Sequence, residues 1–204
     1  METGKKALTV LLATANRGKL AELRELFRGT GLDLRLPADA GVALPAVEES
    51  GSSYRENALL KARALAAASG LPALADDSGL EVAALGGAPG IRSARYSGPG
   101  GTDSENNGKL LQEMGGRKDR EARFVCMLVL AWPSGKTLAA EGILEGKIGE
   151  VARGANGFGY DPLFVLPDGR HLAELMPEEK GRISHRARAA MRMKELLDNP
   201  PGEG

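Results

Sequence analysis

Leu71-Pro72-Ala73-Leu74-Ala75-Asp76-Asp77-Ser78-Gly79 is an apolar run that closes on two adjacent carboxylates. Such neighbours repel each other, and at the edge of a core they also lose hydration. A chain keeps the pair where something positive lies against it, most simply a hard divalent metal or a lysine. Read as a buried strand, Leu71 to Ala75 sends neighbouring side chains to opposite faces. One Asp can then hold a metal while the other faces water or a basic side chain. Asp, Ser and Gly also favour turns, so on this stretch alone a strand-ending turn is an equal reading.

Outward from the pair, the chain alternates strands and helices. Upstream, Ala7 to Ala13 reads as a buried strand, Lys19 to Phe27 as a helix with apolar residues at helical spacing, and Leu32 to Leu36 as a second strand. A strong Ala- and Leu-rich helix runs from Ser53 to Ser69 and stops at Gly70. Downstream come a strand at Leu80 to Ala84, a glycine-rich mobile surface loop from Gly86 to Gly101, and a helix at Asn106 to Met114. Two strands, Arg123 to Trp132 and Thr137 to Leu144, are joined by a Pro-Ser-Gly turn. A short strand at Leu163 to Leu166 and a helix from Ser184 to Leu197 follow, then a Pro- and Gly-rich tail. With no repeat and no low-complexity linker, residues 1–204 read as one α/β domain, with about 199–204 as tail.

The bulk numbers exclude several classes. In 204 residues, 42% hydrophobic and 26% charged, there is room for a sizeable core. The 27 basic and 27 acidic residues cancel, so no overall field attracts nucleic acid. Cys126 is the only cysteine and sits in an apolar strand, which rules out an internal disulfide and a cysteine-based zinc cluster. No apolar run reaches membrane-spanning length and no signal-peptide core is present, so the default setting is cytoplasmic.

Four further clusters carry chemistry. Thr14-Ala15-Asn16-Arg17-Gly18-Lys19 joins the first strand to a helix N-terminus, a natural seat for phosphate. It is not a P-loop: Ala13 replaces the first glycine and Leu20 the magnesium-binding Ser or Thr. Glu48-Glu49-Ser50-Gly51 precedes the long helix, serving either its dipole or a metal. On that helix Tyr54, Asn57 and Lys61 form one stripe, facing either solvent or, for Lys61, the Asp pair. Gly157-Phe158-Gly159-Tyr160-Asp161-Pro162 places two of the eight aromatics in a glycine loop, where a ring can stack on a base or plug a minor core. Ser184-His185-Arg186 opens the last helix, with Ser184 its N-cap and His185 and Arg186 either surface residues or donors to a base or phosphate.

Taken together, the set closely resembles the ITP/XTP pyrophosphatase family, the Ham1-like or RdgB-like enzymes. The family's Ser or Thr, Asn and Lys after the first strand match Thr14, Asn16 and Lys19. Its E-x-G-x-S/T-F/Y-x-x-N-A-x-x-K segment matches Glu49, Gly51, Ser53, Tyr54, Asn57, Ala58 and Lys61. A-D-D-S-G-L stands at Ala75 to Leu80, the G-G-x-P-G segment opens at Gly86 and ends at Tyr96, F-G-Y-D-P is Phe158 to Pro162, and S-H-R is Ser184 to Arg186. The resemblance implies an elongated mixed β-sheet with flanking helices, two lobes with a central substrate cleft, and a homodimer. It also implies Mg2+-dependent cleavage of ITP, dITP and XTP to the monophosphate and pyrophosphate. Asp77 is then the general base and Lys61 a catalytic residue that faces the triphosphate, with Glu48 or Glu49, Asp76 and Asp77 as metal carboxylates. Thr14, Ala15, Asn16, Arg17, Gly18, Lys19 and Ser78 face the triphosphate. Phe158 stacks on the base, and Gly159, Tyr160, Asp161, Lys180, His185 and Arg186 frame it or its phosphates. Donors to a 6-oxo group are expected from backbone N–H groups near Tyr160 and from His185 or Arg186.

Two rivals remain, one an enzyme of different specificity and one of a different class. A Maf-like pyrophosphatase of modified pyrimidine nucleotides would lack the full A-D-D-S-G-L, F-G-Y-D and S-H-R set. A nucleotide-sensing module without turnover has no need of three carboxylates and a lysine in one constellation.

Overall fold

The computed structural model describes residues 7–200, so the tail beyond Pro200 lies outside the described residues. Along the chain run β1 (Leu8–Leu12), α1 (Arg17–Leu26), β2 (Leu32–Arg35), α2 (Tyr54–Ser69), β3 (Ala73–Val82) and α3 (Asp103–Glu113). They are followed by β4 (Glu121–Ala131), β5 (Thr137–Ile148), β6 (Phe164–Val165), α4 (Pro177–Ile183) and α5 (His185–Asp198). The six strands form one mixed sheet in the order β2-β1-β3-β4-β5-β6. β1 pairs in parallel with β2 and β3, with Leu11 opposite Ala73 and Leu12 opposite Leu74, whereas β5 and β6 are antiparallel. This is the α/β class expected from the alternation of strands and helices, with the mixed sheet that the family resemblance implies.

The chain divides into two compact units: residues up to Asp77 with Met127–Gly142 and those from Ala187 onward, and Ser78–Cys126 with Ile143–Arg186. In the first, Leu20 and Leu23 of α1 and its C-cap Phe27 are buried, together with Val10, Leu11, Leu12, Leu34, Ala58, Ala62, Leu65 and Leu74. Here α2 is capped at its start by Ser53, whose side chain accepts from Glu56 N, and at its end by Gly70 at φ +68°, a left-handed position that suits glycine. The second unit has its own core of Leu80, Val82, Leu110, Met114, Phe124, Leu144, Ile148, Leu163 and Phe164.

The structure revises several sequence expectations. The Asp pair does not end a strand: β3 runs unbroken from Ala73 through Asp76-Asp77-Ser78-Gly79 to Val82, absorbing the separate strand expected at Leu80. Sheet pairing overrides the local turn preference of Asp, Ser and Gly. The expected mobile loop from Gly86 to Gly101 is also tied down. A 3-10 turn at Gly90–Arg95 buries Ser93, whose Oγ accepts from Leu80 N at 2.9 Å and whose carbonyl accepts from the Tyr160 hydroxyl at 2.8 Å. Neither α4 nor the extension of β5 to Ile148 is marked by the apolar pattern.

Candidate active site

The first unit gathers its charged side chains around two lysines. Lys61 Nζ donates to Asp77 Oδ1 at 2.7 Å, to Glu49 Oε1 at 2.9 Å and to the Asp76 carbonyl at 3.2 Å. The Asp76 carboxylate points elsewhere, to Lys19 Nζ at 3.4 Å. The two carboxylates thus meet different lysines, as strand alternation requires. Lys61 therefore supports Asp77 through its charge, while the side chain of Asp76 belongs to Lys19.

Local structure sets these partners in place. Asn57, one turn before Lys61 on α2, is fully buried, and its Oδ1 accepts from Gly51 N at 2.8 Å. That bond fastens the Glu49-Ser50-Gly51 segment to the helix and brings Glu49 to Lys61. A Cβ at Gly51 would lie 2.6 Å from Asn57 Oδ1, so only glycine fits so close to the amide. The stripe of Tyr54, Asn57 and Lys61 therefore does not face solvent: Tyr54 and Asn57 are buried. Glu48 is exposed on the same segment, and of the two glutamates it is Glu49 that Lys61 holds.

Burial raises the Asp77 pKa above the ordinary carboxylate value, against the opposing pull of Lys61. For Lys61, burial disfavours the charge, but Asp77 and Glu49 outweigh it and hold the ammonium pKa above its usual value. The outcome is a half-buried cation with a basic carboxylate against it.

At the first β-strand-to-helix junction, Asn16 caps α1: its Oδ1 accepts from Gly18 N at 2.8 Å and Lys19 N at 3.1 Å. Two donors of the expected phosphate seat are thus engaged by the chain's own side chain. Thr14 Oγ1 accepts from Asn16 N, and Ala15, Arg17 and Gly18 are exposed around the cap. Among the described residues no group of three or more Asp, Glu, His or Cys forms a metal cage. The donor set still fits Mg2+, a hard cation that needs only one or two carboxylates and takes water and phosphate oxygens for the rest. Glu49 and Asp77 offer such carboxylate oxygens side by side on Lys61.

The second unit holds a different cluster. Phe158 is an exposed aromatic, with Lys180 Nζ 4.7 Å and Arg186 Cζ 5.6 Å from its ring centroid. Lys180 also donates to Asp161 Oδ2 at 2.5 Å, and the same oxygen accepts from Phe158 N at 3.0 Å. Burial pushes the Asp161 pKa up, with Lys180 pulling it back. Gly157, at φ +81°, passes so close that a Cβ would sit 2.0 Å from Asp161 Oδ2. Ser78 is half-buried on β3.

Three expectations change here. His185 is not the surface residue of one reading but is buried, stacked on Phe124 with centroids 4.7 Å apart and planes at 12°. Arg186 is buried as well. The backbone donors around Tyr160 are engaged within the chain: Phe158 N and Gly159 N bond Asp161 and Asp103, and Asp161 N bonds Phe158 O. Sequence reasoning gave Asp103 and Asn107 no role, and it named Asn57 only within the α2 stripe and the family motif, without its bond to Gly51 N.

Residues 10–196 match the model of the Ham1 family. The chain belongs to the Ham1 family. Its Ham1 relatives include a dITP/XTP pyrophosphatase of Thermus thermophilus, 51% identical over 96% of this chain and 95% of the relative. Another, from Syntrophobacter fumaroxidans, is 50% identical over 93% of this chain and 82% of the relative, and is also named dITP/XTP pyrophosphatase. Among solved structures, a HAM1 protein from Coxiella burnetii superposes with TM-score 0.86 at 43% identity, covering 94% of this chain and 98% of that one. The Staphylococcus aureus Ham1 protein gives 0.85 at 39% identity, covering 95% and 100%.

Proposed function

We propose that this Ham1-family protein hydrolyses the non-canonical purine nucleoside triphosphates ITP, dITP and XTP to the monophosphate and pyrophosphate. The observation that carries the reading is the Lys61 ammonium shared between Asp77 and Glu49 on the A-D-D-S-G-L strand. The names of relatives about 50% identical over nearly the whole chain support the substrate class.

In this reading Asp77 takes a proton from a water whose oxygen bonds the α-phosphorus as the bond to the bridging oxygen breaks and pyrophosphate leaves. Burial makes Asp77 a stronger base than an exposed Asp, and Lys61 keeps it oriented. Lys19 and the exposed start of α1 receive the phosphates. Bound Mg2+, held by Glu49 and Asp77 with Asp76 adding charge nearby, would neutralise phosphate oxygens. Phe158 stacks on the base. Lys180 and Arg186 beside its ring supply cationic donors for a 6-oxo group, which adenine's amino group cannot accept.

A homodimer in a cytoplasmic setting completes the reading. It is supported by the family resemblance. Among the described residues, no helix is long and apolar enough to cross a membrane.

The test is to offer ITP, XTP, dITP, ATP and GTP with and without Mg2+ and to identify the phosphate released. Pyrophosphate from the 6-oxo substrates, only with metal and with little turnover of ATP, is expected. Orthophosphate as sole product, or equal use of ATP, overturns it.

A further inference from the structure

Helix α3 holds the peptide next to Phe158 at both ends. Asp103 Oδ2 accepts from Gly159 N at 2.7 Å, and Asn107 Nδ2 donates to Gly159 O at 2.8 Å. The two side chains are four residues apart, so they project from one face of the helix. On its other side Phe158 is held through its own N–H, which bonds Asp161 Oδ2. An exposed ring is thus carried on a backbone fixed before and after it.

The amide at position 107 serves this bond specifically. Asn107 Oδ1 is buried with no hydrogen-bond partner among the described residues, an arrangement that costs stability on its own. A side chain kept there for packing alone would be apolar. The same helix also ties down the neighbouring segment. Asn106 Oδ1 accepts from Ser97 N, and Lys109 Nζ donates to the Tyr96 carbonyl at 2.8 Å. The Tyr96 hydroxyl bonds Glu113.

We infer that Asp103 and Asn107 are positioning residues that fix the Phe158 ring as a preformed platform for the purine base. This rests on the base-stacking role given to Phe158 above. A preset platform spares the ordering cost of a loop when nucleotide binds, so it acts on affinity for the base rather than on the chemical step.

The experiment compares Asp103→Ala, Asp103→Asn, Asn107→Leu and Phe158→Ala with the unaltered protein. It measures kcat and KM for ITP, and inhibition by tripolyphosphate, a probe with no base. Asp103→Ala and Asn107→Leu are expected to raise KM roughly tenfold, the loss of one well-aligned hydrogen bond to a rigid loop, with kcat held within about twofold. Tripolyphosphate inhibition stays unchanged in both. Asp103→Asn keeps an acceptor for Gly159 N without the charge and restores most of the affinity, which a mere charge effect at the helix N-terminus would not. An unchanged KM in Asn107→Leu, or a parallel loss of tripolyphosphate binding, overturns the inference. Phe158→Ala separates the two readings. If it leaves KM for ITP unchanged, the stacking role itself fails. If it weakens ITP while the α3 variants do not, only the positioning role fails.

Discussion

Lys61 holds three oxygens on one ammonium, and Asp77 pays for that contact with burial. For Asp77 the influences other than Lys61 all raise its pKa: burial and the charges of Glu49 and Asp76. Removing the lysine removes the one pull in the other direction. Lys61→Met is therefore expected to move the acid limb of residual activity to higher pH, because a base works only above its own pKa. A pH–rate profile that shifts downward would break the assignment. Asp77→Asn is expected to lose roughly 10²- to 10⁴-fold in turnover while the thermal melt shows a folded protein. Retention of near-normal turnover on ITP would remove Asp77 from the base role. That the pair would draw positive neighbours was one of two readings open on the sequence, and Lys61 and Lys19 bear it out. The division of partners was not legible there. Lys19 and Asp76 lie 57 residues apart, and no local pattern says that they meet.

At the scale of elements, the start of α2 and the loop around Phe158 depend on close approaches. Asn57→Ala strips the acceptor from the Gly51 amide and frees the Glu49 segment. The expected cost is about 1–3 kcal/mol of stability, read from urea denaturation, together with a higher Mg2+ requirement. A variant with unaltered stability and metal dependence would show that the segment is held by something else. Gly157→Ala meets Asp161 Oδ2 at 2.0 Å on a backbone at φ +81°. It should lower stability by about 1–3 kcal/mol and raise KM for ITP, whereas an unperturbed KM would mean that the loop tolerates displacement. The long helices were legible because their periodicity extends over ten or more residues, and the strands because short apolar runs stand out between turn residues. Helix α4 was not: seven residues with Gly181 inside offer too few turns for a period to emerge. The Gly86 to Gly101 segment misled for a different reason. Its glycines signal freedom, while its order comes from Ser93, Tyr160 and Asn106, contacts distant in sequence.

For the whole molecule, equal numbers of basic and acidic residues leave no net charge at neutral pH. Colloidal repulsion is then weakest there, so light scattering at low ionic strength should show most self-association near pH 7 and less on either side. A minimum in scattering at neutral pH would contradict this. The α/β class and the order of strands and helices were readable from alternating patterns, whereas the mixed sheet and two lobes were expected through the family resemblance, and no local pattern marks where the two compact units divide. β3, β4, β5 and α5 each pass from one unit into the other, so no composition shift marks a boundary. The unbroken course of β3 also makes the strand a parity device. Inserting one residue before Asp76 would exchange the faces of the two carboxylates, presenting the wrong one to each lysine. Inserting two would restore the faces but carry both acids about 7 Å along the strand, out of reach of either partner. Length changes in this stretch are therefore barred in both odd and even steps, whereas the Trp132 to Lys136 turn joining β4 and β5 has room to grow.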